Sequence, residues 1–235
     1  MWRGAQLTMR ISIVIPAMEE SAIVSATLAA LQPLRQAGHE VILVDGGSSD
    51  GTAEIAQPLV DRVIVTARGR ARQMNAGAYL AQSDVLLFLH ADTLLPSQAT
   101  DRIVASVANG AAWGWFDVRL SGQHFLLRVI EHCMSWRAYL TRIATGDQAI
   151  FVRRDVFLRI GGYPDLALME DVALCKLLRK NAASRRLRLP VLSSSRRWEQ
   201  HGMLRTILLM WWLRLVFAFG ADSLRVAARY DSRFR

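Results

Sequence analysis

The chain has 235 residues and a net charge of +9, a length suited to one α/β domain with a short appendage and too short for several large ones. Just over half of it is hydrophobic (52%), and all but two of its 29 basic residues are arginine, so its surface favours phosphates, anionic lipid or nucleic acid. Two widely separated cysteines, Cys133 and Cys175, have no metal-type spacing; this argues against a disulfide scaffold or zinc module and suggests buried thiols in a reducing compartment.

No apolar leader stands in residues 1–10, so no signal peptide is expected. The run ISIVI before Pro16 is short, continuous and β-branched, the pattern of a strand buried on both faces. A helix over 19–37 ends at Gly38, and EVILVD (40–45) is the next strand. GGSSDGT breaks the chain before a helix near 53–59. A third strand over 62–68, a helix over 71–81 and a fourth strand over 84–89 follow. Strand and helix alternate four times with crossovers too long for hairpins, which predicts a mostly parallel, doubly wound sheet with helices on both faces.

Beyond Ala99, WGWFDVRL (113–120) alternates like an edge or antiparallel strand. A helix is expected over 128–145, then strands at GDQAIFVRR and 185–192. No repeat or linker interrupts residues 10–200, which read as one domain. Residues 201–235 form a separate C-terminal segment. On a helical wheel Leu209, Trp212, Val216, Phe219, Val226 and Tyr230 share one side and Arg214, Arg225 and Arg229 the other. Such a basic amphipathic helix either docks on the domain or lies on an anionic membrane, and its apolar runs are too short to span a bilayer.

Ligands of open parallel sheets bind beyond the carboxyl ends of the strands. Those ends here read PAMEE (16–20), DGGSSDG (45–51), ARGR (67–70) and HAD (90–92). Asp45 with Gly47 puts an acceptor beside a tight turn where a nucleotide can approach closely. Arg68, Arg70 and Arg72 either fork onto a diphosphate or form a solvated helix start. If the fourth strand continues to its end, His90 and Asp92 share a face and can grip one ion or one substrate group.

In order, IPAMEE, VDGGSSDGT, RGRARQMNAG, FLHADT, GDQAIFVRR, GGYPD and MEDVALCKLL resemble the family 2 glycosyltransferases of the GT-A fold, over about residues 10–200. Short bacterial members, including those associated with arsenosugar biosynthesis, look similar and carry a comparable H-A-D-T. The chain departs from the family's V-D-D-G-S at Gly46, and from its D-x-D metal motif at His90.

The resemblance implies a nucleotide-sugar donor, usually UDP-linked, held by Pro16, Ala17, Glu19, Asp45, Gly47, Arg70, Arg72 and Ala91. Asp147 and Gln148 belong to a loop that closes over the donor sugar and acceptor. Asp92 would hold Mg²⁺ or Mn²⁺, and His90 is either a ligand, better for Mn²⁺ than Mg²⁺, or a hydrogen-bond donor to the nucleotide sugar. His201 is a further metal candidate, as some GT-A enzymes recruit a C-terminal histidine. Arg196 and Arg197 would clamp the diphosphate, while Trp198 packs. Asp171, with Glu170, matches the family's E-D pair, whose Asp is the general base of an inverting transfer; by itself the pair also suits a helix N-terminus.

The acceptor expected is a small-molecule or lipid-type hydroxyl or carboxylate, and the place the cytoplasmic face of the cell membrane. Two other readings stand beside this one: a nucleic-acid-binding protein, which lacks any recognisable module, and an inactive nucleotide-sugar-binding relative.

Overall fold

The structure, a computed structural model, describes residues 9–218, the side chains of His201 and Ala218 excepted. It opens with β1 (Ile11–Ala17), α1 (Ser21–Ala30), α2 (Gln32–Gln36), β2 (Glu40–Asp45), α3 (Thr52–Ala56), β3 (Arg62–Val65), α4 (Arg70–Leu80) and β4 (Val85–Phe88). The single helix expected over 19–37 is two helices. Pro33 has no amide hydrogen to donate to the preceding turn, and its ring crowds the carbonyl four residues back. The first helix is therefore capped at Leu31, and Pro33 sits in the first turn of the second. The remaining elements are β5 (Thr93–Leu94), α5 (Ala99–Ala108), β6 (Trp113–Leu120), α6 (Phe125–Thr141), β7 (Ile150–Arg153), α7 (Arg154–Arg159), α8 (Glu170–Asn181), β8 (Ser184–Ser193), α9 (Arg196–His201) and α10 (Met203–Ala218).

One sheet runs in the order β3-β2-β1-β4-β7-β6-β8-β5. Its first four strands are parallel, as the crossovers predicted. β7 then enters antiparallel against β4, and the far half of the sheet is mixed. β6 is not an edge strand. It lies between β7 and β8, with Trp113 and Trp115 buried toward one layer and Phe116 toward the other.

Strand alternation builds a layer on each face. Ile11, Ile13 and Ile15 pack with Val24 and Leu28 of α1 and Ile103 of α5. Val14 points the other way, to Met74 and Ala78 of α4 and to Leu174 and Leu178 of α8. Gly77 lets α4 approach this closely: a Cβ there would lie 2.5 Å from Val14 Cγ1 and 2.9 Å from Val44 Cγ2.

The described part of the C-terminal segment, α10, carries apolar residues on its exposed side as well as on its buried one. Leu209 and Leu213 are buried against Met169 and Val172, with Val216 beside them, while Leu204, Leu208, Trp211, Trp212 and Leu215 are exposed. Arg214 is part-buried rather than solvated. The other residues of the expected apolar and basic faces, Phe219, Arg225, Val226, Arg229 and Tyr230, lie outside the described residues. Among the described residues no helix is long and apolar enough to cross a membrane.

Candidate functional site

The loops after β1 and β2 are clamped together. Glu19 takes a left-handed backbone (φ 54°); its carboxylate accepts the Ser49 amide at 2.8 Å, and its own amide donates to Ser48 Oγ at 2.9 Å. The Glu20 amide donates to Thr52 Oγ1. Asp45 is buried and turns its carboxylate onto its own loop, accepting the amides of Gly47 (2.9 Å) and Ser48 (2.7 Å) and the Ser48 hydroxyl. Gly47, at φ +87°, makes that turn affordable to the backbone. Gln73 closes the floor, its amide donating to the carbonyls of Ala17 and Val44.

β4 stops at Phe88, so His90 and Asp92 do not share a strand face. They stand on a turn closed by the Thr93 amide donating to the His90 carbonyl at 3.1 Å. Because β7 pairs antiparallel with β4, with Ile150 opposite Phe88, the tight turn Gly146–Gln148 ahead of β7 lands on His90. The imidazole Nδ1 lies 3.3 Å from Asp147 Oδ1, and its other edge rests on Gly146, where a Cβ would collide with the ring. α8 brings its first turn to the same place: Asp171 Oδ2 accepts the Gly146 amide at 3.0 Å, and Oδ1 accepts the Val172 amide at 2.7 Å. A small depression between these groups is floored by Phe88, Ile150 and Tyr163.

Electrostatics divides these carboxyls. Burial raises the pKa of Asp171 despite its two amide donors, and burial with the charge of Asp171 raises that of Glu170. For Asp147 desolvation pushes upward too, but the hydrogen bond and charge of His90, then Arg197 and Arg70, outweigh it and hold the group below the usual carboxylate range. Glu20 is raised by burial and next by the charge of Asp92, against Arg196 and Arg70. Arg196 lies 3.6 Å from Glu20. The short strand β5 explains its arrival: Thr93 pairs with Ser193, and the Ser194 amide donates to the Asp92 carbonyl, delivering the Arg196-Arg197 end to the rim.

The model of glycosyl transferase family 2 matches residues 12–163, well over half of the chain. The chain belongs to this family. It is 28% identical over 190 residues to a probable glycosyltransferase, YdaM, of Bacillus subtilis, covering 70% of this chain and 45% of that protein. It is 32% identical over 164 residues to a PGL/p-HBAD biosynthesis glycosyltransferase of Mycobacterium bovis, covering 65% of this chain and 62% of the other. The chain therefore spans less than two thirds of either relative. In fold it is similar to the mannosyltransferase PcManGT of Pyrobaculum calidifontis in complex with GDP-Man and Mn²⁺, with a TM-score of 0.60 at 16% identity over 79% of this chain and 56% of that one. The Staphylococcus aureus TarS 1–349 complex with UDP-GlcNAc gives 0.64 at 16% identity, over 79% and 58%. The fold is GT-A.

This family 2 rim does not gather every residue the sequence nominates. Arg72 leaves it for an exposed bidentate pair with Asp165 at 3.0 Å. Gln148 is fully buried, its amide group donating to the Phe116 carbonyl and accepting from the Thr145 amide, so it shapes the loop from beneath. Pro16 and Ala17 are buried at the strand end, and Ala91 is buried with its carbonyl held by Thr27. Trp198 packs, as expected, beside Val118 and Leu120. Among the described residues no three His, Cys, Asp or Glu side chains converge as a metal cluster; the His201 side chain lies outside them. Cys133 is exposed rather than buried; Cys175 is buried.

Two residues enter that the sequence reading passed over. Glu20 feels the charge of Asp92, whereas its neighbour Glu19 is tied down by Ser49; the turn at Glu19 breaks strand parity, so alternation could not choose between them. Arg137 reaches the neighbourhood of Asp171 and Asp147 from the middle of α6, with no local motif to announce it. Backbone strain marks the same region. Among the described residues the non-glycine residues with positive φ are Glu19, Arg142, Ala149 and Met169. Glu19 lies two residues beyond β1, Ala149 follows the Gly146 turn, and Met169 immediately precedes the Glu170-Asp171 pair.

Proposed function

We propose that this chain transfers a glycosyl group from a nucleoside-diphosphate sugar, UDP-linked, to an acceptor hydroxyl or carboxylate with inversion at the anomeric carbon, Asp171 acting as general base. The observation that carries the reading is the meeting of Asp171 with the Gly146 turn and the His90–Asp147 pair at the carboxyl end of β4. The PcManGT complex with GDP-Man and the TarS complex with UDP-GlcNAc support a nucleotide-sugar donor.

The two amide donors fix the orientation of Asp171, and burial makes it a stronger base than a solvated carboxylate. With a hydroxyl acceptor it takes the hydroxyl proton as the acceptor oxygen bonds to the anomeric carbon; a carboxylate acceptor attacks without that proton transfer. The bond from that carbon to the diphosphate oxygen breaks, and its electron pair leaves with the diphosphate. Arg70, Arg196 and Arg197, on the side of Glu20 and Asp147, favour that developing charge. The His90–Asp147 pair holds the loop that carries the Gly146 donor.

For a divalent cation the fitting residues are Asp92 and Glu20, two carboxylates near enough for the charge of the first to act on the second. His90 fits poorly, since its Nδ1 is turned to Asp147. With two protein carboxylates, the donor's phosphates would complete the ligand set. The ion, Mn²⁺ or Mg²⁺, would neutralise the leaving diphosphate. The Mn²⁺ in the PcManGT complex supports this assignment.

We also place the acceptor at an anionic membrane surface. α6 and α10 border one apolar cluster, to which the first gives Leu127 and Ile130 and the second Met203 and Ile207. Each leaves an exposed apolar stripe: Phe125, Val129, Trp136 and Leu140 on the first, Leu204, Leu208, Trp211 and Leu215 on the second. Trp211 is 70% exposed, and the chain's charge of +9 complements anionic headgroups.

The test is product formation from a panel of nucleotide sugars with Mn²⁺ or Mg²⁺, scored for anomeric configuration. Asp171→Asn is expected to bind nucleotide and lose turnover. Full turnover in that variant removes the base assignment. A wild-type protein that binds donor without turning any over favours the inactive relative, and salt-sensitive DNA retention without nucleotide binding favours the nucleic-acid reading.

A further inference from the structure

We propose that Arg137 is an anion-binding residue of this site, its guanidinium taking up a phosphate or carboxylate oxygen of a bound substrate; the role as substrate contact rests on the transferase reading above. Arg137 stands in the middle of α6 and is part-buried. Its Nε and Nη2 are enclosed and have no hydrogen-bond partner. Arg128 also leaves its Nε without a partner, but it and other nearby arginines bond through their remaining guanidinium nitrogens. Arg128 Nη2 donates to the carbonyls of Leu120 and Gly122, Arg179 Nη1 to that of Thr141, and Arg186 forks onto Asp117 at 2.7 and 2.9 Å.

The carboxylates whose charges act on Arg137 are Asp171 and Asp147, the two that build the site. Neither closes on it. Asp171 is held by the amides of Gly146 and Val172, and Asp147 is turned to His90. A guanidinium with two of its three nitrogens desolvated and unbonded is costly, and a folded chain keeps one where something else completes it. Its planar fork matches an oxyanion with two adjacent oxygens. Two sources can supply that group: the diphosphate of the donor, or an acidic group on the acceptor.

The experiment uses the full chain and isothermal titration with UDP, with GDP, and with inorganic phosphate added to UDP-saturated protein. Arg137→Met keeps the stem without the charge; Arg137→Lys keeps the charge without the fork. If the oxygen belongs to the donor, Arg137→Met weakens UDP and GDP about tenfold or more, the size of a lost charge-assisted hydrogen bond. If it belongs to the acceptor, nucleotide affinity stays and phosphate binding to the UDP-saturated protein falls by that factor. Arg137→Lys is expected to lie between wild type and Arg137→Met.

In both cases the Tm of Arg137→Met stays level or rises, because an unbonded buried charge has been removed. Affinities within twofold of wild type for every probe overturn the proposal, as does a wild type that binds none of them, or a Tm that falls together with affinity. Intact binding without turnover of any nucleotide sugar would sink the transferase reading and leave the anion site standing.

Discussion

Replacing Gly146 by alanine tests the joint on which the rim depends. Gly146 does not need its glycine for backbone reasons, because its φ is not in the left-handed region. The added methyl would overlap His90 at Nε2 and Cε1 and press on Cδ2 at 3.1 Å. His90 has little room to yield: it is 15% exposed, and its far side holds Asp147 at 3.3 Å. Either the ring leaves Asp147 or the turn shifts, and a shift withdraws the Gly146 amide from Asp171.

Overpacking of this kind costs about 1–3 kcal/mol. At roughly 2–4 °C per kcal/mol for a chain of this size, Tm should fall by about 2–12 °C. A displacement of about 1 Å at the base lowers turnover by roughly a hundredfold. Thermal unfolding and donor turnover measure both effects, with Gly161→Ala as a control for a glycine that does need positive φ (+83°) and has open space beside it. The double variant His90→Ala with Gly146→Ala should recover stability lost by Gly146→Ala, because the colliding ring is gone. A Gly146→Ala protein with unchanged Tm and turnover within twofold of wild type would refute the packing of His90 on this turn.

The raised Asp171 sets the acidic limb of kcat/KM above the ordinary carboxylate range of about 4, and a limb at or below that range would contradict its burial. Raised carboxyls favour the fold in their protonated form. The contribution of Glu170 and Asp171 is therefore full below about pH 4 and is lost as pH rises through their folded values, so Glu170→Gln should gain Tm at neutral pH relative to pH 4. Asp92→Ala is expected to abolish the Mn²⁺-dependent part of any UDP-induced Tm shift while leaving the metal-free part; an undiminished shift excludes Asp92 as ligand. Leu208→Glu with Trp211→Glu should abolish cosedimentation with phosphatidylglycerol vesicles, and a lipid-free dimer lost in the same variant would assign the face to a second copy instead. One thiol, Cys133, should react with a thiol reagent in the native state and Cys175 only on unfolding, where burial no longer raises its pKa.

Local order along the chain was enough for the parallel half of the fold. Short β-branched runs bounded by polar turns mark β1, β2 and β4, and their alternation with helices dictates right-handed crossovers and a common carboxyl edge. That edge was legible too, because the polar segments that end the strands carry Asp45, Arg70 and Asp92 at or shortly beyond the strand ends. What depended on side-chain direction was not. Glu19 and Glu20 differ only through a left-handed turn, and Arg72 and Gln148 have the right chemistry but point to Asp165 and Phe116.

The chain's own composition and spacing thus determined an α/β domain, a set of polar strand ends and the carboxylates available to them. Tertiary structure decided which of these meet. β7 runs antiparallel beside β4, so a turn some fifty residues downstream settles on His90 and reaches Asp171. The pairing of β5 with β8 brings Arg196 to Glu20, and α6 carries Arg137 in from behind. The physical reason is that periodicity encodes which face of an element is apolar, whereas pairings between strands distant in sequence are chosen by the packing of the whole sheet.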